Sequence, residues 1–341
     1  MTSTVKISGI DALIIGCGLT GSVIARHLAE EGKKVLILER RDHIGGNMYD
    51  YPEEHGILIQ KYGPHIFETN NIDLYNYMRR FEDWHERVIT TGAVIKNKCV
   101  PLPFNFKSID TFYSPDDAAK LKARLRAAFP ERDSATILEL LEHSDDDIRS
   151  YADFLFENDY KPYTVKMWDI PPEGMDKSVL RRVPVRFSYL EGCFDAKYQA
   201  VPVHSFTRFF ENLLAHENIH VELGVNALEH LSINNDTLIF DGTPLTMPVV
   251  YTGALDEFFG NKFGSLPYRS LRFELKYSDE PNPYPDPIVY FPQDNTYTRI
   301  TEYKHFLSQD KQGNLYSIEY PLNYGGGGGM SRITPCLQNR A

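Results

Sequence analysis

Glycine spacing near the N-terminus could hold a phosphate group. Gly16, Gly18 and Gly21 satisfy the pattern G-x-G-x-x-G directly after an apolar run at residues 12–16. In such a turn the first glycine permits a tight bend, the second lets a pyrophosphate approach the backbone, and the third lets helix and strand pack closely. Residues 19–31 carry apolar side chains at helical spacing, so a helix would present free N–H groups to the phosphates. The spacing predicts an adenine dinucleotide site.

A carboxylate at the end of the next strand completes such a site. Residues 34–39 form another apolar run, as expected for a buried parallel strand, and Glu39 ends it. Its carboxylate can accept both ribose hydroxyls, which selects against a 2′-phosphate. Gly45-Gly46-Asn47 gives a further close backbone approach, and residues 249–253 form a late strand ending in Thr-Gly. Both features occur in FAD proteins related to amine oxidases, which this arrangement resembles, so the predicted cofactor is FAD and not NAD.

These residues must be positioned by an α/β fold. The first forty residues predict one βαβ unit, and residues 220–253 return to short strands. Residues 269–320 alternate apolar and polar side chains in the manner of an antiparallel sheet. Between them the pattern is mostly helical, with stretches at 71–82, 115–128, 134–143 and 147–157.

The predicted organisation has three domains and a tail. A Rossmann-like FAD-binding domain is assembled from separated segments and is accompanied by a helical insertion domain and an antiparallel β-sheet domain. The expected ranges are 1–78 with 200–255 for the first domain, 79–180 for the second, and 181–199 with 256–322 for the third. Five consecutive glycines from Gly325 to Gly329 predict a disordered tail over residues 323–341.

Composition limits the partners. With 36 Lys and Arg against 47 Asp and Glu, the 341-residue chain has a net charge of −11, which argues against a general nucleic-acid or acidic-membrane surface. The four cysteines lie far apart, without a zinc-site pattern, so we expect free thiols and no metal. The N-terminus does not resemble a signal peptide, and no apolar run approaches the roughly 18 residues that span a bilayer. We expect a cytoplasmic protein without membrane insertion.

Further motifs resemble those of the UDP-galactopyranose mutase family. In order along the chain they are ERRDHIGGN (39–47), YGPHIFETN (62–70), LPFN (102–105), PYTVKMW (162–168), RRVPVRF (181–187), YQAVP (198–202), FGSLPYRSL (263–271), YTRITEYKHF (297–306) and EYP (319–321). The resemblance implies an isomerase that interconverts UDP-galactopyranose and UDP-galactofuranose, a precursor of microbial surface polysaccharides. It also implies covalent catalysis in which N5 of reduced FAD is the nucleophile and the cofactor ends each cycle in its starting redox state.

The resemblance also implies roles for individual residues. Two arginines are expected to hold the departing diphosphate, because a planar, always charged guanidinium can bind it at two points. The expected catalytic residues are Arg182, Arg299 and His65, the last beside the flavin ring. The expected substrate-binding residues are Tyr163, Thr164, Trp168, Cys193, Phe194 and Tyr290. The expected cofactor-binding residues are Gly16, Gly18, Thr20, Gly21, Glu39, Arg40, Gly46, Asn47, His65 and Ile66.

Three positions within or near these motifs depart from the common family pattern. Cys193 stands where many bacterial members carry a tyrosine, and Tyr290 stands where many carry an asparagine near the substrate. Glu68 replaces the second histidine of the family's HIFHT pattern. Each change alters packing or charge near the sugar, so the sequence leaves open whether a 2-acetamido sugar is accepted.

The end of the chain departs further. After EYP the family continues with a Gly-Arg-Leu segment and a Tyr-x-Tyr-x-Asp-Met segment, whereas this sequence continues with the glycine run and MSRITPCLQNRA. The sequence therefore predicts a truncated or altered C-terminus, with FAD held mainly through its adenosine half and reduced mutase activity. Two alternatives remain: an FAD oxidoreductase of the amine-oxidase type, and a non-catalytic FAD or UDP-sugar binding remnant. The expected partner is UDP-galactose, and a homodimer is left open.

Overall fold

The computed structural model describes residues 5–169, 180, 183–266, 268–324 and 334–335. Contacts divide the chain into two compact units. The first contains Met1–Glu86 with Ala200–Ser265, and the second contains Arg87–Gln199 with Leu266–Ala341. The helical segment and the second sheet thus fall in one unit, and the three-domain division of the sequence stays a prediction.

The described strands are short except for two near the end of the chain. They are β1 (Ala12–Ile15), β2 (Val35–Glu39), β3 (Asp50–Pro52), β4 (Leu58–Gln60), β5 (Phe67–Thr69), β6 (Trp84–Glu86), β7 (Thr91–Ile95), β8 (Lys98–Pro101), β9 (Ser134–Ala135), β10 (Val185–Arg186), β11 (Tyr198–Pro202), β12 (Ile219–Leu223), β13 (Leu231–Asn234), β14 (Thr237–Phe240), β15 (Thr243–Pro244), β16 (Val249–Tyr251), β17 (Tyr268–Ser278), β18 (Ile288–Tyr290), β19 (Arg299–Glu302), β20 (Asn314–Asn323) and β21 (Thr334–Pro335).

The described helices are α1 (Leu19–Glu30), α2 (Ile72–Met78), α3 (Phe106–Phe112), α4 (Pro115–Ala128), α5 (Ile137–Leu141), α6 (Asp146–Leu155), α7 (Lys161–Trp168), α8 (Phe206–Leu214), α9 (Leu255–Phe258) and α10 (Tyr303–Phe306). One π-helical turn, Phe156–Tyr160, joins α6 to α7. Short 3-10 turns lie at Gly46–Met48 and Ala227–Glu229. Among the described residues, no helix has the length and apolar character needed to cross a membrane.

A parallel sheet forms the centre of the first unit. Its strand order is β12-β2-β1-β16, and each neighbouring pair is parallel. β1 and β2 are buried along their whole length, which explains why their sequences are apolar without alternation. α1 follows β1 directly and leads to β2, so the predicted βαβ unit and the Rossmann-like α/β fold are confirmed.

A mixed sheet of seven strands forms part of the second unit. Its order is β21-β17-β20-β19-β18-β7-β8. β17 and β20 pair antiparallel over ten residues, as the alternation of residues 269–320 predicted. The described strand pairs within that range are all antiparallel, and one parallel pair joins β18 to β7, which lies outside it.

The β7–β8 hairpin corrects one expectation. Residues 91–101 were expected inside the helical segment, but they form two paired antiparallel strands. The turn residues Lys96 and Asn97 both have positive φ, 48° and 62°, as a tight hairpin connection requires. Along β7, Ala93 and Ile95 are fully buried and fix the side of the strand that packs inward.

Side-chain N-caps mark where three helices of the second unit begin. Ser114, Thr136 and Asp145 each accept a backbone N–H in the first turn of α4, α5 and α6. These helices and α2 match the predicted stretches within a few residues at either end. A shared core of buried side chains, among them Phe104 and Tyr151, joins helices α3, α4, α5 and α6 to the β7–β8 hairpin.

The predicted disordered tail is described only in part. Asn323 ends β20, and Thr334–Pro335 pairs with Tyr268 and Arg269 at the edge of the sheet. Extended backbone at a sheet edge offers unpaired N–H and C=O groups, which is why such a pair forms. The rest of the expected tail after Tyr324 lies outside the described residues, as does Arg182.

Candidate functional site

The glycines of the nucleotide turn stand where side chains would overlap their neighbours. A Cβ at Gly16 would overlap the Thr252 hydroxyl, and a Cβ at Gly21 would overlap the carbonyl oxygen of Gly16. Gly16 also has φ +104°, a conformation that glycine adopts without strain. A Cβ at Gly46 would come within 2.9 Å of the Gly18 Cα. The turn therefore leaves bare backbone on the side where Gly18 and Gly46 approach each other.

The N-terminus of α1 suits an anion. Gly18 is its N-cap, and no side chain among the described residues caps the helix or places an acidic group in its first turn. Unsatisfied N–H groups and the helix dipole then favour a negatively charged ligand. Thr20 is exposed in the same first turn.

Glu39 is held in place by two backbone groups. Its Oε2 accepts the N–H of Cys17 at 2.8 Å, and its Oε1 accepts the N–H of Arg41 at 2.9 Å. The residue is 6% exposed, yet each carboxylate oxygen keeps a second lone pair for a ribose hydroxyl. The adjacent Cys17 thiol stays protonated, because burial raises its pKa to about 11.

The two arginines after Glu39 have different surroundings. Arg40 is exposed and pairs with Glu257 at 3.0 Å. Arg41 donates to Oδ1 of Asn47 at 2.9 Å and lies 4.4 Å from the centre of the Tyr62 ring. Its Nη1 is buried and has no hydrogen-bond partner among the described residues. Sequence reasoning named Arg40 but not Arg41. Consecutive residues at a strand end point to opposite sides, so only one of these two arginines can face Asn47.

The segment containing His65 and Ile66 is fixed by Gln60. The buried Gln60 amide donates to the His65 carbonyl oxygen at 3.1 Å and accepts the His65 N–H. Nδ1 of the His65 ring lies 2.8 Å from the Gly63 carbonyl oxygen. His65 and Ile66 are partly buried, whereas Glu68 is exposed. All of these residues belong to the first unit.

In the second unit, the strand register aligns three polar side chains. Tyr290 on β18 stands opposite Arg299 on β19, and Arg299 stands opposite Glu319 on β20. Directly paired residues of neighbouring strands point to the same face of a sheet, so the three form a row. We call it the polar row. Nε of Arg299 lies 2.7 Å from Oε1 of Glu319, and its Nη1 donates to the Tyr290 hydroxyl at 3.2 Å.

The polar row keeps one fixed positive charge available. Glu319 has a side chain only 1% exposed, whereas that of Arg299 is 22% exposed. Burial opposes the charge of Arg299, but Glu319 and the neighbouring phenols outweigh it and hold the pKa of Arg299 above its usual value. Burial raises the pKa of Tyr290, so its phenol stays neutral. Arg299 is thus oriented by a buried carboxylate and retains an open edge.

Helix α7 brings an aromatic side chain to the polar row. The rings of Tyr163 and Tyr290 meet edge to face, with centroids 5.5 Å apart. Thr164 is buried, and its hydroxyl donates to the Tyr160 carbonyl oxygen at 2.5 Å, inside its own helix. Trp168 is 8% exposed. The structure therefore joins Tyr163 to Tyr290 and Arg299, and it gives the Thr164 hydroxyl a backbone partner.

Cys193 and Phe194 lie on a segment beside β7. The Cys193 thiol lies 3.4 Å from the Thr91 hydroxyl, and its backbone N–H donates to the Ile89 carbonyl oxygen. Burial raises the pKa of the thiol, so it is protonated and not a reactive thiolate at neutral pH. Phe194 is exposed.

Two groups near the expected substrate residues were missed. Glu319 belongs to the quoted EYP motif, but only the register of β19 and β20 reveals it as the partner of Arg299. Lys166 stands between Tyr163 and Trp168, and its ammonium group is bonded to three carbonyl oxygens. A lysine in an apolar, aromatic helix segment was the available signal.

Comparisons with known proteins identify related families and chains. A family model described as UDP-galactopyranose mutase matches residues 158–331, and one described as NAD(P)-binding Rossmann-like domain matches residues 14–81. The chain is 36% identical over 331 residues to the UDP-galactopyranose mutase of Mycoplasma genitalium, covering 94% of this chain and 80% of that protein. It is 35% identical over 315 residues to a probable UDP-galactopyranose mutase of Klebsiella pneumoniae, covering 90% and 77%.

Two further matches bear on specificity and fold. A dTDP-fucopyranose mutase of Escherichia coli is 36% identical over 317 residues, covering 90% of this chain and 80% of that protein. A crystal structure of reduced UDP-galactopyranose mutase superposes with a TM-score of 0.65 at 18% identity, covering 96% of this chain and 75% of that one. By contrast, the flavin-containing amine oxidase A of Canis lupus familiaris matches over only 18% of this chain.

Proposed function

Because the chain belongs to the UDP-galactopyranose mutase family, we propose that it interconverts UDP-galactopyranose and UDP-galactofuranose. The enzyme is an isomerase, and its cofactor is FAD. The observation that carries the substrate proposal is the polar row with Tyr163 beside it, since it combines a fixed cation with an aromatic ring in one unit. The amine-oxidase alternative is not favoured, because its match is confined to 18% of the chain.

The first unit fits the adenine-dinucleotide part of FAD. The bare backbone at Gly18 and Gly46 and the uncapped N-terminus of α1 accept a pyrophosphate. Glu39 accepts ribose hydroxyls, and the buried Nη1 of Arg41 supplies an unused donor beside Asn47. When bound and reduced, FAD supplies a nucleophile for covalent catalysis. The proposed cofactor-binding roles of Thr20, His65 and Ile66 follow from their places in the same motifs.

The second unit carries the residues proposed to bind the nucleotide sugar. Arg299 binds the diphosphate through its open edge, and Glu319 fixes the opposite edge so that the guanidinium needs no reorientation. Negative charge grows on the diphosphate as the glycosidic bond breaks, and a pre-oriented cation stabilises that charge. Tyr163 offers its ring to the uracil. Arg182, which lies outside the described residues, is proposed as the second arginine on its motif alone.

A second substrate is specifically favoured by the comparisons. The dTDP-fucopyranose mutase is as similar to this chain as the UDP-galactopyranose mutases are, at 36% identity. The two substrates share the diphosphate and differ at the base, at the 2′ position of the nucleoside pentose and at the transferred sugar. The polar row would serve both, so the choice between them depends on residues around the base and the sugar.

The experiment is an anaerobic assay with dithionite-reduced enzyme. UDP-galactofuranose and dTDP-fucofuranose are supplied in separate reactions, and the nucleotide sugars are separated by chromatography. We expect conversion of UDP-galactofuranose to the pyranose form, with a higher kcat/KM than for the dTDP sugar. A higher kcat/KM for dTDP-fucofuranose would contradict the proposed substrate and identify the dTDP sugar in its place. Tight UDP binding without conversion of either sugar would identify a non-catalytic binding protein.

A further inference from the structure

Lys166 makes an unusual set of contacts for a lysine on a helix. Its ammonium group donates to the carbonyl oxygens of Phe291 at 2.6 Å, Asp294 at 2.7 Å and Tyr297 at 2.6 Å. Three donors meet three acceptors, so the hydrogen-bonding capacity of the ammonium group is fully used. None of these bonds goes to a ligand or a carboxylate. The contacts therefore serve the backbone of residues 291–297.

This backbone segment links two members of the polar row. It begins directly after Tyr290, the last residue of β18, and ends at Tyr297, so that only Thr298 separates it from Arg299, the first residue of β19. Oδ1 of Asp294 accepts the N–H groups of Thr296 and Tyr297 and shapes the turn from within. We call residues 291–297 the row loop. The Phe291 N–H donates to the Thr298 carbonyl oxygen at 2.9 Å and the Thr298 N–H donates to the Glu319 carbonyl oxygen at 2.8 Å, so backbone bonds join the loop to the adjoining strands.

Packing between α7 and the row loop is incomplete. A cleft of about 620 Å³ is lined on one side by Pro162, Val165, Lys166 and Asp169. On the other side it is lined by residues 292–296. Lys166 and Asp294 both line this cleft, so the Lys166 bonds join the helix to the row loop at its wall. The Gln293 amide adds one bond, to Oδ1 of Asn158 at 3.1 Å in the turn before α7. α7 also carries Tyr163, whose ring meets Tyr290.

We propose that Lys166 is a positioning residue of the nucleotide-sugar site. Its three bonds tie the row loop to α7, which sets the spacing between Tyr163 on the helix and Tyr290 and Arg299 on the strands. Lys166 itself does not contact the substrate. The inference rests on the proposed function, since it assumes that Tyr163 and Arg299 bind the same nucleotide.

The protonation of Lys166 gives the proposal a measurable signature. Burial lowers its pKa to about 8, although Asp294 and Asp159 favour the charged form. Asp169 and Arg269 line the same cleft. A neutral amine has two N–H groups in place of three and would leave one carbonyl oxygen without its donor. Nucleotide affinity should therefore fall as the pH rises through about 8.

The test measures the affinity of the oxidised holoenzyme for UDP by isothermal titration. We expect Lys166→Met to weaken UDP binding by about tenfold or more, since the row loop loses three charge-assisted bonds. Lys166→Arg should restore most of the affinity, because a guanidinium keeps its donors and its charge at any working pH. Lys161→Met is the matched control. Lys161 lies on the same helix, pairs with Glu157 at 2.8 Å, and should leave affinity within about twofold.

A pH series keeps the proposal testable if Lys166→Met does not fold. Between pH 7 and pH 9.5, UDP affinity of the wild type should decline more steeply than that of Lys166→Arg. Identical profiles would overturn the proposal, as would wild-type affinity in folded Lys166→Met. If the wild type does not bind UDP at all, the proposed function fails and the inference fails with it.

Discussion

The nucleotide turn and the polar row are built from different materials. The turn consists of backbone, and its glycines keep side chains out of a space that a phosphate can occupy. The polar row consists of side chains from three strands, and the sheet register brings them together. A site of the first kind is defined by residues close in sequence. A site of the second kind exists only once the sheet has formed.

The largest expected effect concerns the cation of the polar row. Arg299→Ala should lower kcat for UDP-galactofuranose about a thousandfold, since it removes the charge that stabilises the departing diphosphate. The FAD content per chain should not change, because the turn lies in the other unit. Arg272→Ala is the matched control, an exposed arginine on β17, which β20 separates from β19. Retention of more than about a tenth of the activity in Arg299→Ala would contradict the role of the polar row.

Asp159 offers a test of stability in the second unit. Burial raises the pKa of its carboxyl from 3.8 to about 7, so between these values the folded state binds more protons than the unfolded state. Stability should fall as the pH rises from about 4 to about 7, by at most about 4 kcal/mol. Asp159→Asn removes this dependence.

Urea unfolding at pH 4.5 and pH 8 checks the prediction. The free energy of unfolding of Asp159→Asn relative to that of the wild type should be higher at pH 8 than at pH 4.5. An equal difference at both pH values would show that the carboxyl does not titrate in this range.

The turn should be sensitive to a single methyl group. Gly21→Ala places a Cβ against the carbonyl oxygen of Gly16, and we expect a loss of about 3 kcal/mol of stability together with loss of bound FAD. Flavin absorbance per chain measures the second effect. Gly32→Ala is the control. Gly32 also has a conformation that favours glycine, with φ +80°, but an added Cβ would meet no described atom within 4 Å, so the control tests backbone strain without a steric clash. It should lower stability by only about 1 kcal/mol and retain FAD.

A smaller effect is expected at the carboxylate of the polar row. Glu319→Gln keeps the shape of the side chain but removes the charge that orients Arg299, which should lower stability by about 2 kcal/mol. KM for the nucleotide sugar should rise more than kcat falls, because the cation remains but is less well oriented. Thermal unfolding and steady-state kinetics measure both effects. An unchanged KM in Glu319→Gln would show that Glu319 does not contribute to substrate binding.

The sequence predicts the local parts of this molecule well. The βαβ unit, the glycine turn and the capped helices follow from residues a few positions apart, and all are present. The β7–β8 hairpin was missed because its strands are only five and four residues long and its turn lacks glycine. The different surroundings of Arg40 and Arg41 depend on which side of a strand end each residue faces.

The polar row could not be assembled from sequence. Arg299 was identified by its motif, but its pairing with Glu319 depends on the register between β19 and β20. The loop that links Tyr290 to Arg299 has no sequence feature that predicts three bonds to Lys166. Such contacts are decided by packing between distant elements, which periodicity and composition do not encode.

The register of the polar row also determines how the protein tolerates changes in chain length. Successive residues of a strand point to opposite faces, so inserting or deleting one residue within β19 or β20 would turn Arg299 or Glu319 to the other face of the sheet. Proteins of this family can therefore vary the side chains of β19 and β20 more freely than they can vary the number of residues in these two strands. Length variation should accumulate in the connecting loops, and a conserved spacing within each strand would mark the proteins that retain the same row.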